Sequence, residues 1–432
     1  MTHPVEPSTP DAASVASSAA TVPTPARPIE VVAQGSIVGP GLTSPGLTSH
    51  GIAGPGHPHD DPPQAIDTTS PALNPEPEIN RATMRALVKH HAGEGLELDP
   101  KRPMPTVGPH DCLIRIHKAG SCGTDRHIWE WDEWAQSRIP VGIVTGHEFV
   151  GVIAAIGQAV TKYKVGERVS AEGHLTKGRD YLSLTGNKHF ASDVHIFGVD
   201  SDGIFAAYAA IHEDDIWDVH PDVPDKYAAV YAPLGNAVHT VMAAGVSGKT
   251  VLVSGTGIIG LMTVAVAKAA GATRIYCTDI NPPRLELAKK LGAHRCFDVR
   301  PEADGESWIP DLRAETRGLG VDCLLEMSGA PKAMDQGFQS LRPGGVAALL
   351  GLPARSVDFD FNANIIFKGC TVLGINGRKM WETWYQVEEF IRFGGVNLDD
   401  IITHEFAFND YEEAFRVMMS GEGSKVLLDV TR

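Results

Sequence analysis

Cysteine is scarce in this chain: six in 432 residues, at 112, 122, 277, 296, 323 and 370, with no CxxC pair among them. That excludes a disulfide framework and fits a reducing compartment. Basic residues are outnumbered, with 37 Lys and Arg against 53 Asp and Glu and a formal net charge of -16. A nucleic-acid partner needs a basic face for the phosphates, so that class is excluded. The N-terminus lacks a basic start followed by an apolar run, so no signal peptide is expected. One stretch resembles a membrane span, Thr250 to Ala267, which carries no charge. Gly255, Gly257 and Gly260 cluster inside it and Lys268 follows, which suits a strand, a turn and a helix better. The expected location is cytoplasmic.

Residues 1–82 have no Lys and no aromatics, and they hold about half of the 30 prolines. Gly-Leu-Thr-Ser occurs at 41–44 and again at 46–49. Such a segment buries too little apolar surface to offset its ordering entropy, and a disordered tail without a site is expected. The rest differs. Hydrophobic residues make up 43% of the chain and charged ones 21%, enough for a large core.

Over 83–225 short apolar runs are broken by Gly, Pro and Asp, as in Cys112-Leu-Ile-Arg-Ile and Phe149-Val-Gly-Val-Ile-Ala-Ala-Ile. These read as strands of a mainly β domain. Over 226–375 the period changes. Thr250-Val-Leu-Val-Ser reads as a strand, Leu261 to Ala270 as a helix, and Arg274-Ile-Tyr-Cys-Thr as a second strand. A second helix over Arg284 to Leu291 has Gly292 where a C-terminal cap belongs. Val321-Asp-Cys-Leu-Leu-Glu and Val346-Ala-Ala-Leu-Leu read as further buried strands. Strands alternating with helices predict an α/β, doubly wound parallel sheet. Residues 376–432 lack that alternation and are expected to return to the first domain.

Gly255-Thr-Gly-Ile-Ile-Gly260 fits G-x-G-x-x-G between a strand and a helix, the context that gives this otherwise weak motif its meaning. Gly255 suits the tight turn, Gly257 the approach of a pyrophosphate to the helix N-terminus, and Gly260 close packing of helix on strand. Ile259 lies within the same turn. Asp279 ends the second strand about 20 residues on, where a carboxylate accepts from the adenosine ribose hydroxyls and repels the extra phosphate of NADP. NAD is therefore the expected cofactor, with Arg284 over the adenine side.

Cys122-Gly-Thr-Asp-Arg-His127 is followed by Gly146-His-Glu148. A thiolate, an imidazole and a carboxylate suit zinc, with a fourth position left for water or substrate. Thr124 offers a hydroxyl beside such a metal, and His127 a base nearer solvent. Singly, Cys122 is more often a small buried hydrophobe and His147 a satisfied core histidine. Their joint occurrence beside a dinucleotide motif turns the balance toward a site.

At these residues the chain resembles the zinc-dependent medium-chain dehydrogenases, and within them the L-threonine 3-dehydrogenases, from Met84 to the C-terminus. The resemblance rests on the segments Cys122–Trp134, Gly146–Gly151, Glu172–Thr176, Pro233–Thr240, Glu326–Pro331 and Ile375–Tyr385. Trp-Asp-Glu-Trp at 131–134 and Gly-Arg-Lys-Met-Trp-Glu-Thr-Trp at 377–384 separate the threonine enzymes from other relatives. The resemblance implies a GroES-like catalytic domain, a Rossmann domain and a homotetramer or homodimer. It implies oxidation of L-threonine to L-2-amino-3-oxobutanoate, with Cys122, His147 and Glu148 as ligands of one catalytic zinc and Thr124 and His127 as proton relay. His174 would lie near the substrate. Trp131, Trp134, Arg378 and Trp381 would complete the pocket, with Arg378 able to pair with a carboxylate.

Two departures from the family pattern stand out. Four cysteines commonly hold a structural zinc in the lobe after Glu172-Gly-His174; here those positions are Lys177, Asp180, Ser183 and Ala191, so no such site is expected. The family usually has an acid that reaches the catalytic metal just before Pro233-Leu-Gly-Asn; this chain has Ala232. A dehydrogenase of another polyol or vicinal diol, sorbitol or butanediol, therefore stays open, as does a non-catalytic NAD-binding paralogue.

Overall fold

The computed structural model describes residues 82–176, 179–300 and 308–432. The tail expected at 1–82, save Ala82, and Lys177 lie outside the described residues.

Val251, Leu252 and Val253 are fully buried, as are Cys323, Leu324 and Leu325. Strands covered on both faces read as unbroken apolar runs, which is why the alternation of a half-exposed strand is missing here. They form the centre of a six-stranded sheet whose neighbours are all parallel. In spatial order the strands are Arg295–Asp298, Arg274–Asp279, Thr250–Ser254, Val321–Glu326, Leu341–Leu349 and Thr371–Gly374. The order reverses between Thr250–Ser254 and Val321–Glu326. A crevice opens outside the carboxyl ends of strands at such a switch point, and here it holds Gly255 and Ser328. The helix Ile258–Ala269 begins at its N-cap Gly257, three residues ahead of the apolar pattern that starts at Leu261. The glycine turn feeds it directly, so Ile258 and Ile259 line the crevice while also packing against the core.

A second, seven-stranded sheet is built around Asp111–Gly120. That strand pairs antiparallel with Glu148–Ile156, Tyr208–His212 and Lys425–Asp429. The Lys425–Asp429 strand also pairs with Ile402–Ala407, so chain from the far C-terminus sits beside strands laid down some 300 residues earlier. The helix Glu382–Arg392 takes another route: its Trp384 and Val387 join the core cluster of the helix Tyr231–Ala244. Among the described residues, no helix is long and apolar enough to cross a membrane.

Register decides what meets at the end of this sheet. Gly120 is opposite Glu148 on one side and Leu427 on the other. A Cβ on Gly120 would lie 2.6 Å from Glu148 Oε2 and 3.2 Å from Lys425 Cε. The strand must therefore end in glycine for Glu148 and Lys425 to close over it, and the chain then turns at Ser121 into Cys122.

Candidate active site

Cys122 is the N-cap of the helix Gly123–Glu130; Glu148 opens the neighbouring strand Glu148–Ile156 and His147 immediately precedes it. The ligating atoms of Cys122, His147 and Glu148 all lie within 4.8 Å of one another. His147 keeps a buried Nδ1 with no hydrogen-bond partner. Burial pushes the Cys122 thiol up, and the nearby Glu148 carboxylate adds to it. A divalent cation reverses both effects, because a coordinated thiol gives up its proton. Thiolate, imidazole and carboxylate are the donors zinc prefers, and three of them leave a position open. The residues present fit the metal.

Two buried partners of this cluster were not read from the sequence. Lys425 is 1% exposed, and its ammonium reaches Glu148 Oε2 and the carbonyl of Ser121. Asp125 is wholly buried, with Oδ2 accepting the Cys122 backbone N–H at 2.9 Å and Oδ1 without a partner. Burial pushes its carboxyl up to about 7, against the pull of His147. Neither had a local signal, since Lys425 is 277 residues from its partner and Asp125 passes for an ordinary first-turn acid.

A cavity of about 200 Å³ adjoins the cluster, lined among others by Thr124, Trp134, His174, Ala232, Asn236 and Arg378. Ile258 and Ile259, at the start of the glycine-turn helix, form its opposite wall. The metal cluster and the dinucleotide turn thus share one cleft. Thr124 lies 3.9 Å from Cys122 Sγ through its hydroxyl. His127 is exposed and is not among the lining residues; its ring lies 5.9 Å from that of the lining residue Trp134, and its Nδ1 is 2.6 Å from Asp132 Oδ2.

The glycine turn has the expected shape. Gly255 has φ +91°, and a Cβ there would meet Ser328 Cβ at 2.7 Å. A Cβ on Gly260 would lie 2.1 Å from the Gly255 carbonyl oxygen. At Gly257 nothing of the protein lies within 4 Å of a Cβ, so the space before that helix N-terminus is open, as an approaching phosphate requires. Asp279 is partly committed: Oδ2 accepts Thr256 N–H at 2.6 Å and its hydroxyl at 2.9 Å, and Oδ1 accepts Asn281 N–H at 2.8 Å. The carboxylate keeps lone pairs for a ribose, but it also ties the turn to the end of the second strand. Arg284 sits in the first turn of the helix Pro282–Leu291, its N–H capped by Asn281.

Three expected pocket residues stand differently in the structure. Arg378 lines the cavity but is 6% exposed and forms a two-pronged pair with Glu172, which is 1% exposed. It also donates to the Ala232 carbonyl at 3.4 Å and to Asn236 Oδ1 at 3.3 Å. Its charge is answered within the protein, so it is not a free receptor for a substrate carboxylate. Burial alone would raise Glu172, and Arg378 overrides it, holding the carboxyl well below the ordinary range. Trp381 is not among the lining residues; it stacks on Trp217 at 6.0 Å between centroids. Trp131 lies outside the lining too, under the Lys89 ammonium, whereas Trp134 and His174 line the cavity.

Comparison with known proteins agrees with this geometry. The alcohol dehydrogenase GroES-like domain model matches residues 108–222, and the zinc-binding dehydrogenase model matches 259–392. L-Threonine 3-dehydrogenase of Pyrococcus horikoshii is 45% identical over 346 residues, 80% of this chain and 98% of that one. The Chromobacterium violaceum protein of the same name is 43% identical over 350 residues, 80% of this chain and 99% of its own.

The chain belongs to the zinc-dependent medium-chain alcohol dehydrogenases.

It is accordingly a nicotinamide-dependent alcohol dehydrogenase that uses zinc. Solved members share its fold. The alcohol dehydrogenase of Thermus sp. ATN1 superposes with a TM-score of 0.72 at 25% identity, over 80% of this chain and 99% of that one. The 2R,3R-butanediol dehydrogenase of Bacillus subtilis superposes with a TM-score of 0.71 at 25% identity and the same coverage. Ala232 lines the cavity, and the lobe after His174 is closed by local hydrogen bonds. There Asp180 Oδ1 accepts Ser183 N–H at 2.8 Å and Oδ2 accepts Ser192 N–H at 2.9 Å. One carboxylate thus ties two points of the loop together.

Proposed function

We propose that this dehydrogenase oxidises L-threonine at its 3-hydroxyl to L-2-amino-3-oxobutanoate, with NAD as acceptor, in the cytoplasm and as a homotetramer or homodimer. The observation that carries the reading is the single cleft in which Cys122, His147 and Glu148 face Ile258 and Ile259 of the glycine-turn helix. The choice of threonine is supported by the name of relatives matched over nearly their whole length.

Cys122, His147 and Glu148 would hold the metal, and the turn Gly255–Gly260 with Asp279 would hold the dinucleotide. When bound, zinc supplies Lewis acidity at the substrate hydroxyl and the nicotinamide supplies a hydride acceptor. The chain's own part is to orient the alcohol and remove its proton. Thr124, inside the cleft, accepts the substrate's hydroxyl proton as it passes its own outward, and His127, beside the lining residue Trp134, receives a proton and hands it to solvent. These two are not hydrogen-bonded to each other, so a bridging hydroxyl or water completes the path. Lys425 fixes one oxygen of Glu148 and offsets its charge. Asp279 favours NAD, since its charge opposes a 2′-phosphate.

A second reading, oxidation of a vicinal diol, is favoured by the commitment of Arg378 to Glu172, which leaves the cavity without a free cation for an amino-acid carboxylate. Initial rates of NADH formation separate the two. Turnover of L-threonine well above that of 2,3-butanediol and sorbitol supports the first; the reverse order supports the second.

A further inference from the structure

We propose that Asp132 is the positioning residue of the proton path, fixing His127 in one orientation and one tautomer while it caps the helix that carries Trp134 into the cleft. This rests on the reading of His127 as the relay base. His127 lies on the helix Gly123–Glu130, and Asp132 precedes the helix Glu133–Arg138. Between them the chain reverses at Trp131, which adopts φ +54° without being glycine. That conformation is held from two sides: Gln136 donates to the Trp131 carbonyl at 2.8 Å, and the Lys89 ammonium lies 4.8 Å from its ring centroid. A rarely adopted backbone persists where its surroundings over-determine it. Here it brings the two oxygens of Asp132 to two different tasks. Oδ1 accepts the Ala135 N–H at 2.9 Å, capping the helix, and Oδ2 meets His127 Nδ1 at 2.6 Å.

The consequence is chemical. An ionised carboxylate only accepts, so Nδ1 of His127 carries the hydrogen and Nε2 is left bare. A relay base needs that bare nitrogen. The proton arrives at Nε2, the imidazolium is balanced by Asp132, and the proton leaves to water from the exposed ring; Asp132 stays ionised throughout. Its carboxyl is kept below the usual range because the Ala135 N–H and His127 outweigh its slight burial. An ion pair this exposed contributes little to stability, so folding alone does not account for it. Trp134, whose ring is 5.9 Å from that of His127, shares the same anchor, and so the cleft wall and the base are set together.

Three variants separate the tasks. Asp132→Asn has one acceptor oxygen for two demands. With that oxygen on the cap, its amide N–H faces Nδ1 and forces the hydrogen onto Nε2, where a proton can no longer be taken. Asp132→Ser keeps the cap but leaves the imidazole without a partner. His127→Asn removes the base. The readouts are melting temperature, NADH affinity and the single-turnover rate of NADH formation with the best alcohol substrate. The expected result is folded, NADH-binding Asp132→Asn with a rate roughly 10- to 100-fold down, KM little changed, a smaller loss in Asp132→Ser, and a double variant no slower than His127→Asn. A wild-type rate in Asp132→Asn, or losses that multiply in the double variant, would overturn the proposal. A wild-type rate in His127→Asn would remove the relay reading itself, and the proposal with it.

Discussion

Residue types carried most of the information about the cleft, because its central groups are close in sequence. Cys122, Thr124 and His127 lie at the cap and in the first two turns of one helix, and His147 and Glu148 are adjacent. Cys122→Ser is expected to remove zinc and activity together while NADH binding stays intact; metal analysis and an NADH titration on one preparation check this. Asp279→Ser should weaken NAD roughly 10- to 100-fold and relax discrimination against NADP, read as the ratio of the two affinities. The loss includes a structural part, since Thr256 also leans on that carboxylate. What the sequence could not reveal were partners brought in from far away. Arg378 looked available to a substrate because Glu172 lies 206 residues before it. The pair has its own signature. Glu172 is held below the ordinary carboxylate range, so its ionised form favours the folded state. That contribution is whole above about pH 4.5 and lost as pH falls through the folded-state value. Glu172→Gln should cost about 3–5 kcal/mol at neutral pH, because it strands a buried guanidinium, and should flatten the acid limb of stability. Denaturation midpoints from pH 7 down to pH 3 measure both effects.

At the scale of elements, periodicity sufficed for the parallel sheet and failed at its edges. The sequence pattern places the start of the first dinucleotide helix at Leu261, whereas the helix starts at Ile258, directly after the glycine turn, and Ile258 and Ile259 serve both the cleft and the core. The approach of the Lys425–Asp429 strand to Asp111–Gly120 is a matter of register between distant strands, which local pattern does not encode. The lobe after His174 is tied by a single carboxylate. Asp180 ties Ser183 and Ser192 together there, and its carboxyl is lowered to about 2 by those two backbone N–H groups. Asp180→Ala should speed amide exchange across 180–192 while leaving exchange in the Rossmann sheet unchanged. Equal exchange in both proteins would mean that packing, not this carboxylate, closes the loop.

For the whole molecule, catalysis depends on two sheets meeting. The mixed seven-stranded sheet ends at the metal cluster, the parallel sheet ends at the glycine turn, and each contributes to the lining of the cleft. Ligands that bind only the folded chain should therefore stabilise it. NADH at about 100 times its Kd is expected to add about 2.7 kcal/mol, also in Cys122→Ser, where the dinucleotide wall is untouched. Loss of that increment in the variant would mean the two walls do not form independently. The most direct test of the central claim is the initial rate of NADH production from L-threonine, 2,3-butanediol, sorbitol and simple alcohols, with zinc measured on the same batch. Threonine-dependent turnover well above the others, with about one zinc per subunit, is the predicted result. The absence of both zinc and turnover of any alcohol would contradict it.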